Sequence, residues 1–220
     1  MRLVRTPPQR TIIQAEALGW LLQQGRLPGA SVVTSLPDVS EIPGLDFPGW
    51  RCWFEHAAAT VMGAVPDEGV AIFFQSDIRY GGRWVDKGAL VTHGAERAGG
   101  QLLFHRIVCR HPAGTLTAGR ASYSHLLGFG HRPLQSGLPR ADVIPDGGWV
   151  PGRKAMGLTA CLEACRFIQR ETPTRLVVDP FCGWGTALAV ANSLGMEGLG
   201  VDLSPRMCRR ARLLDVSDRL

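Results

Sequence analysis

The stretch LVVDPFCGWGTALAVANSLGMEGLGVDLSP, residues 176–205, constrains the fold of this chain more than any other. Its first four residues read as a buried strand ending at Asp179, Gly183 and Gly185 fall in a tight turn, and a helix opens near Thr186. A second strand then ends at Asp202. In such a unit the glycines let backbone amides approach a ligand, and an acid at the end of the next strand accepts hydrogen bonds from ribose hydroxyls. The arrangement points to a cofactor that carries a nucleoside. A dinucleotide is not supported, because Leu188 stands where the third glycine of that fingerprint belongs.

The rest of the chain continues an alternation of strands and helices. IIQAEALGWLLQQG (12–25) has helical spacing and a glycine stop, LPGASVVTS reads as a turn and a short strand, and PGWRCWFEHAAATVMG (48–63) reads as a second helix before the strand VAIFFQS. DIRYGGRWVDKG is a glycine-broken loop, ALVTH is strand-like, QLLFHRIVCR is helical or extended, and ASYSHLLGFGH is a strand entered from HPAGTLTAGR. The connector LPRADVIPDGGWVPGR leads into the helix MGLTACLEACRFIQRE, and SPRMCRRARLLDV forms the last helix. This pattern predicts a mostly parallel sheet with helices on both faces, a three-layer α/β fold. A length of 220 residues suits one such domain, expected to span 1–220.

Composition narrows the setting. No apolar run is long enough to cross a membrane and MRLVRTPPQR leads into no signal-peptide stretch, so a soluble, cytoplasmic protein without membrane partners is expected. The six cysteines are expected to be reduced. Cys161 and Cys165 lie one helical turn apart, but with no CxxC pair and no histidine at ligand spacing no metal is expected. A net charge of +5 is compatible with a polyanionic partner. Arginines gather at the two ends, Arg2, Arg5 and Arg10 at one and Arg206, Arg209, Arg210 and Arg212 at the other, where solvated helix faces explain them equally well.

The string DPFCGWGT, followed by GVDLSP, resembles the cofactor loop of the S-adenosylmethionine-dependent amino-methyltransferases of nucleic acids, in the circularly permuted motif order called the β class. In that order the cofactor loop follows a catalytic tetrapeptide of the type (Asp/Asn/Ser)-Pro-Pro-aromatic, and Ser35-Leu36-Pro37-Asp38 stands where it belongs. IIQAEALGWLLQQGRLPGASVVTSLPD is similar to the family's block ahead of the tetrapeptide, VPDEGVAIFFQSDIR to the strand after the catalytic helix, and YSHLLGFGHRP to the strand before the connector. The resemblance covers nearly the whole chain and implies a Rossmann-like methyltransferase fold with S-adenosylmethionine as cofactor. It implies that Asp179, Phe181, Gly183, Gly185 and Thr186 frame the cofactor, that Asp202 holds its ribose and that Glu16 faces the adenine. Lys154 stands at the position of a helix start that receives the methionine carboxylate, although the family's following proline is Ala155 here.

The tetrapeptide has a chemical logic. An exocyclic amine is a poor nucleophile, because its lone pair is delocalised into the ring. A side-chain oxygen and a backbone carbonyl must accept its protons as the nitrogen rehybridises. Ser35 supplies the first acceptor and the Leu36 carbonyl the second, with Pro37 fixing the backbone. Serine in the first place is similar to the cytosine N4 branch. Asp38 replaces the stacking aromatic, a role left to Phe47, Trp50 or Trp53. Asp38 and Glu41 also have the spacing of a capping box, so a structural and a chemical role for Asp38 stand side by side. Little chain is left over for reading a DNA sequence, chiefly loops carrying Arg79, Arg83, Arg110 and Arg120. RNA, with transfer RNA first, is therefore the expected substrate, and the nucleic acid the expected partner. The alternatives are a DNA N4-cytosine methyltransferase acting as a homodimer or on single strands, and a cofactor-binding subunit without catalysis that supports a protein partner.

Overall fold

The structure is a computed structural model that describes residues 8–118, 120–133 and 140–220. Arg2, Arg5 and the start of the connector lie outside the described residues. In chain order, β1 (Arg10–Gln14), α1 (Ala17–Gln24), β2 (Ala30–Thr34), a 3-10 turn (Val39–Glu41), α2 (Phe47–Ala64) and β3 (Val70–Gln75) come first. The hairpin β4 (Ile78–Tyr80) and β5 (Arg83–Val85), α3 (Lys87–Arg97), β6 (Gln101–Cys109), β7 (Tyr123–Gly130) and β8 (Val143–Ile144) follow. The last third holds α4 (Leu158–Glu171), β9 (Leu176–Asp179), α5 (Thr186–Ser193), β10 (Glu197–Asp202) and α6 (Pro205–Leu213).

Eight strands form one sheet in the order β1-β10-β9-β2-β3-β7-β6-β8, parallel throughout except for β7, which runs against both neighbours. One core lies against α4, α5 and α6, and a second lies against α1, α2 and α3, so the molecule has the three expected layers. On α2, Trp50, Phe54, Ala57, Ala58, Val61 and Met62 recur at helical spacing and are fully buried. Helix α3 packs against it at Gly94, where a Cβ would stand 2.3 Å from the Glu55 carbonyl oxygen.

Three local expectations are corrected. Residues 12–25 are not one helix: Ile12 and Ile13 belong to β1, which pairs with β10, and α1 begins only at Ala17. The β-branched pair feeds an edge strand, and its period merged with that of Leu18 and Leu21 in a single window. ALVTH is helical within α3, because Asp86 caps the helix by accepting from Ala89 N–H and Leu90, Val91 and Ala95 form its buried stripe. The glycine-broken loop is the β4–β5 hairpin, turned by Gly81 and Gly82 at φ 55° and 75°, the left-handed pair that a two-residue hairpin requires. QLLFHRIVCR, left open between helix and strand, is β6.

The topology determines the site. Strands β2 and β9 are far apart in sequence, yet they are parallel neighbours, with Val32 opposite Val178. The loops leaving their carboxyl ends therefore sit side by side, where ligands of open α/β sheets bind. No described helix is long and apolar enough to cross a membrane.

Candidate active site

A cleft of about 1520 Å³ opens over the carboxyl ends of these strands. Of the residues selected from the sequence, Glu16, Ser35, Leu36, Pro37, Asp38, Lys154, Asp179, Phe181, Gly183, Thr186 and Asp202 line it. Gly185 does not. It takes φ 78° as it opens α5, and a Cβ there would stand 2.8 Å from that of Ala211, so its place is close packing against α6. Leu188, on α5, is wholly buried against β10, close to where Cβ atoms would sit at Gly198 and Gly200.

In the β9 half of the cleft, the Thr34 hydroxyl (2.7 Å) and Phe181 N–H (3.2 Å) both donate to Asp179 Oδ1. Asp179 Oδ2 and Thr186 Oγ1 are buried without a hydrogen-bond partner among the described residues. Burial pushes the Asp179 carboxyl up to about 7, against the pull of the Thr34 and Phe181 hydrogen bonds. Two orphaned polar atoms at the wall of a cleft, beside the opening of a helix, are what a polar ligand would satisfy. Asp202 accepts from Gly183 N–H (2.9 Å) and Ser204 N–H (2.8 Å), which ties the glycine turn to the end of β10.

Two residues given cofactor contacts have partners of their own. Both Glu16 oxygens cap α1, accepting from Leu18 N–H at 3.0 Å and Gly19 N–H at 2.6 Å. Lys154 is four residues before α4 rather than at its start, has φ 62°, and its ammonium pairs with Glu41 at 3.2 Å.

In the β2 half, Leu36 is buried in the core and Ser35 is half-buried. The Ser35 hydroxyl has no hydrogen-bond partner among the described residues. Trp50 donates from Nε1 to the Pro37 carbonyl at 3.2 Å and so clamps the loop onto α2. Of the aromatics considered as replacements for the stacking residue, Trp53 lines the cleft, set edge-on to Phe181 at 6.0 Å. Trp50 is fully buried and Phe47 stacks on Tyr80 at 4.3 Å. Asp38 and Glu41 form the capping box their spacing predicts, with Asp38 N–H donating to the Glu41 side chain at 2.9 Å and the Asp38 side chain facing the Glu41 backbone N–H. The Asp38 carboxylate also accepts from the ammonium of Lys87 at 2.5 Å.

Lys87 escaped sequence reading because nothing in DKGALVTH marks it as more than a polar residue opening a helix. Trp184 was also missed, and Arg210, noted only as one of the arginines near the end of the chain, lines the cleft with it, the guanidinium 4.2 Å from the indole centroid. Arg110 and Arg120 line it as well, form no ion pair among the described residues, and lie near enough that Arg120, after burial itself, lowers the Arg110 pKa.

In sequence, no family model and no curated protein matches the chain. Solved structures do match. TTHA0409 of Thermus thermophilus, provisionally named a DNA modification methylase, is 21% identical, with a TM-score of 0.68 over 93% of this chain and 92% of that one. TTHA0409 has also been solved with S-adenosyl-L-methionine bound. The PvuII DNA methyltransferase, specific for cytosine N4, is 15% identical with a TM-score of 0.68 over 96% and 88% of the two chains. The complex of M1.HpyAVI with S-adenosylmethionine is 14% identical with a TM-score of 0.60 over 93% and 97%. At these identities the likeness establishes the fold, which is the Rossmann-like fold of methyltransferases.

Proposed function

We propose that this chain is an S-adenosylmethionine-dependent methyltransferase acting on an exocyclic amino group of a DNA base, with cytosine N4 as the first candidate. One observation carries the reading: the orphaned Asp179 and Thr186 side chains and the Ser35 loop line a single cleft, although 141 positions separate Pro37 from Val178. When bound, S-adenosylmethionine supplies a methyl group on a sulfonium whose sulfur leaves with the bonding pair. Asp179 and Thr186 would hold its methionine end and Asp202 its ribose. Ser35 and the Leu36 carbonyl accept the amine protons, and Trp50 holds the loop through the Pro37 carbonyl, so that the nitrogen is oriented before reaction.

DNA replaces RNA as the favoured substrate because the structures with this fold named above are DNA methylases, one of them specific for cytosine N4. Serine at position 35 agrees with that branch. The small hairpin and loops that suggested RNA fit a nucleic acid of either kind. Incubation with radiolabelled S-adenosylmethionine and total DNA or RNA, followed by nucleoside mass spectrometry, tests the proposal. Labelled N4-methylcytosine in DNA is the expected product. Label confined to RNA restores the RNA reading, and cofactor binding with no transfer supports the non-catalytic subunit.

A further inference from the structure

The Asp38–Lys87 pair is unusual for its place. Lys87 is 3% exposed, and its ammonium sits at 2.5 Å from Asp38 at the wall of the cleft. Burying the Lys87 charge costs desolvation that the partly exposed Asp38 offsets only in part, and an apolar residue of the same volume would often serve the fold as well. The surroundings hold Lys87 in place. Its backbone N–H donates to Asp77 Oδ1 at 2.9 Å, and Asp77 also accepts from Trp84, Tyr123 and His125. Its ammonium lies 5.2 Å from the centroid of the Phe54 ring on α2.

We propose that Lys87 is a positioning residue for methyl transfer, aligning the Asp38 carboxylate on the target amine so that Asp38 takes the proton the amine gives up. The inference rests on the methyltransferase reading above. As the nitrogen gains the methyl carbon, the carbon-sulfur bond breaks with its electron pair left on sulfur, and the nitrogen must lose one proton. Ser35 and the Leu36 carbonyl hold the amine's two N–H groups by hydrogen bonds before transfer; once methylated, the nitrogen sheds the proton it shares with Ser35, and Asp38, in the fourth place of the tetrapeptide, takes it and passes it to solvent through the open cleft. The residue that would be a stacking aromatic is thus a proton acceptor whose direction is fixed by a buried cation.

The pH dependence separates this role from a merely structural bolt. Burial lowers the Lys87 pKa from its ordinary value, opposed by Asp38, Glu41 and Asp77. Asp86 at the head of α3 and His125 on β7 stand beside the same turn. An amine whose pKa is lower in the folded chain than in the unfolded one makes folding more favourable as pH rises, since the unfolded chain then binds more protons. Loss of the Lys87 proton therefore does not itself destabilise the fold; the raised pKa of the buried Cys161 and Cys165 thiols acts the other way, so kcat is compared at pH values where the protein is shown to be folded. On the proposed role, loss of the Lys87 proton lowers activity by releasing Asp38.

The wild type should lose kcat on the alkaline side at a pH below the ordinary lysine value of 10.5. Lys87→Met should lower kcat by about 100-fold or more, the scale of a general base, with S-adenosylmethionine affinity within twofold of wild type by calorimetry. Lys87→Arg, whose guanidinium does not titrate in this range, should recover activity to within about tenfold of wild type and carry it to higher pH. If Lys87→Met does not fold, Asp38→Asn, which keeps the shape and can still accept from Lys87, should show the same loss of kcat without the alkaline limb. Wild-type kcat in Lys87→Met or in Asp38→Asn overturns the inference alone. A wild-type protein that binds cofactor but methylates neither DNA nor RNA overturns the methyltransferase reading and this inference with it.

Discussion

Asp179→Asn tests the cofactor site through a proton. The buried carboxyl is raised from an ordinary 3.8 to about 7, a penalty of about 4 kcal/mol on its ionisation. Because its pKa is higher in the folded chain, the protein holds a proton between about pH 4 and 7 that the unfolded chain releases. The empty protein should therefore lose stability as pH rises through that window, by up to about 4 kcal/mol. The proton sits on Oδ2, since Oδ1 accepts from Thr34 and Phe181. An ammonium placed beside Oδ2 favours the carboxylate, so cofactor binding at pH 6 should expel about 0.9 proton, the fraction present at that pH for a pKa of about 7. Affinity should rise about fifteenfold between pH 5.5 and 7. Titration calorimetry of S-adenosylmethionine and of its demethylated product, in buffers of different ionisation enthalpy, reads the proton count directly. Asp179→Asn should remove both the proton release and the pH slope of stability while weakening binding. Binding enthalpy that is identical in every buffer, with affinity flat in pH, would refute the reasoning.

Three further outcomes follow from the geometry. Trp50→Phe removes the bond to the Pro37 carbonyl and leaves a gap where the fully buried indole stood; it should cost about 1–3 kcal/mol of stability and lower kcat more than cofactor affinity, as denaturant melts and steady-state kinetics would report. Gly94→Ala forces a Cβ toward the Glu55 carbonyl and should destabilise by about 1–3 kcal/mol in the same melts, with the cleft unaltered. Replacing Arg110 and Arg120 by Ala should weaken nucleic-acid binding at low salt and reduce the salt slope by about 2 in a filter-binding titration; an unchanged slope would place the phosphates elsewhere.

What the sequence disclosed was local. A strand ending at Asp179, a turn at Gly183 and Gly185, a helix from Thr186 and a strand ending at Asp202 fall within twenty-four residues, and of these Asp179, Gly183, Thr186 and Asp202 line the cleft while Gly185 packs on α6. The same locality misled the reading of 12–25 and of ALVTH. In the first, a strand and a helix share one apolar window; in the second, five residues are too few to display a stripe that runs from Leu90 to Ala95. Glu16 lines the expected cleft, but its oxygens serve the helix they precede, a use of glutamate at a helix start that spacing alone does not reveal.

Asp38 is the residue on which local and tertiary reasoning part. Three residues ahead of Glu41 it has a capping spacing, and its backbone N–H does donate to the Glu41 carboxylate. Its carboxylate, besides its part in that capping box, accepts across forty-nine positions from Lys87. No short-range rule could pair them, because the contact exists only once β3 and the β4–β5 hairpin deliver the head of α3 to the end of β2. Asp77 makes that delivery, binding the Lys87 backbone and the hairpin's Trp84 together. The hairpin thus anchors the head of α3, which carries the cation paired with Asp38. Trp84, with the Arg79 guanidinium 5.4 Å from its ring centroid, so shares its Asp77 partner with the backbone of Lys87.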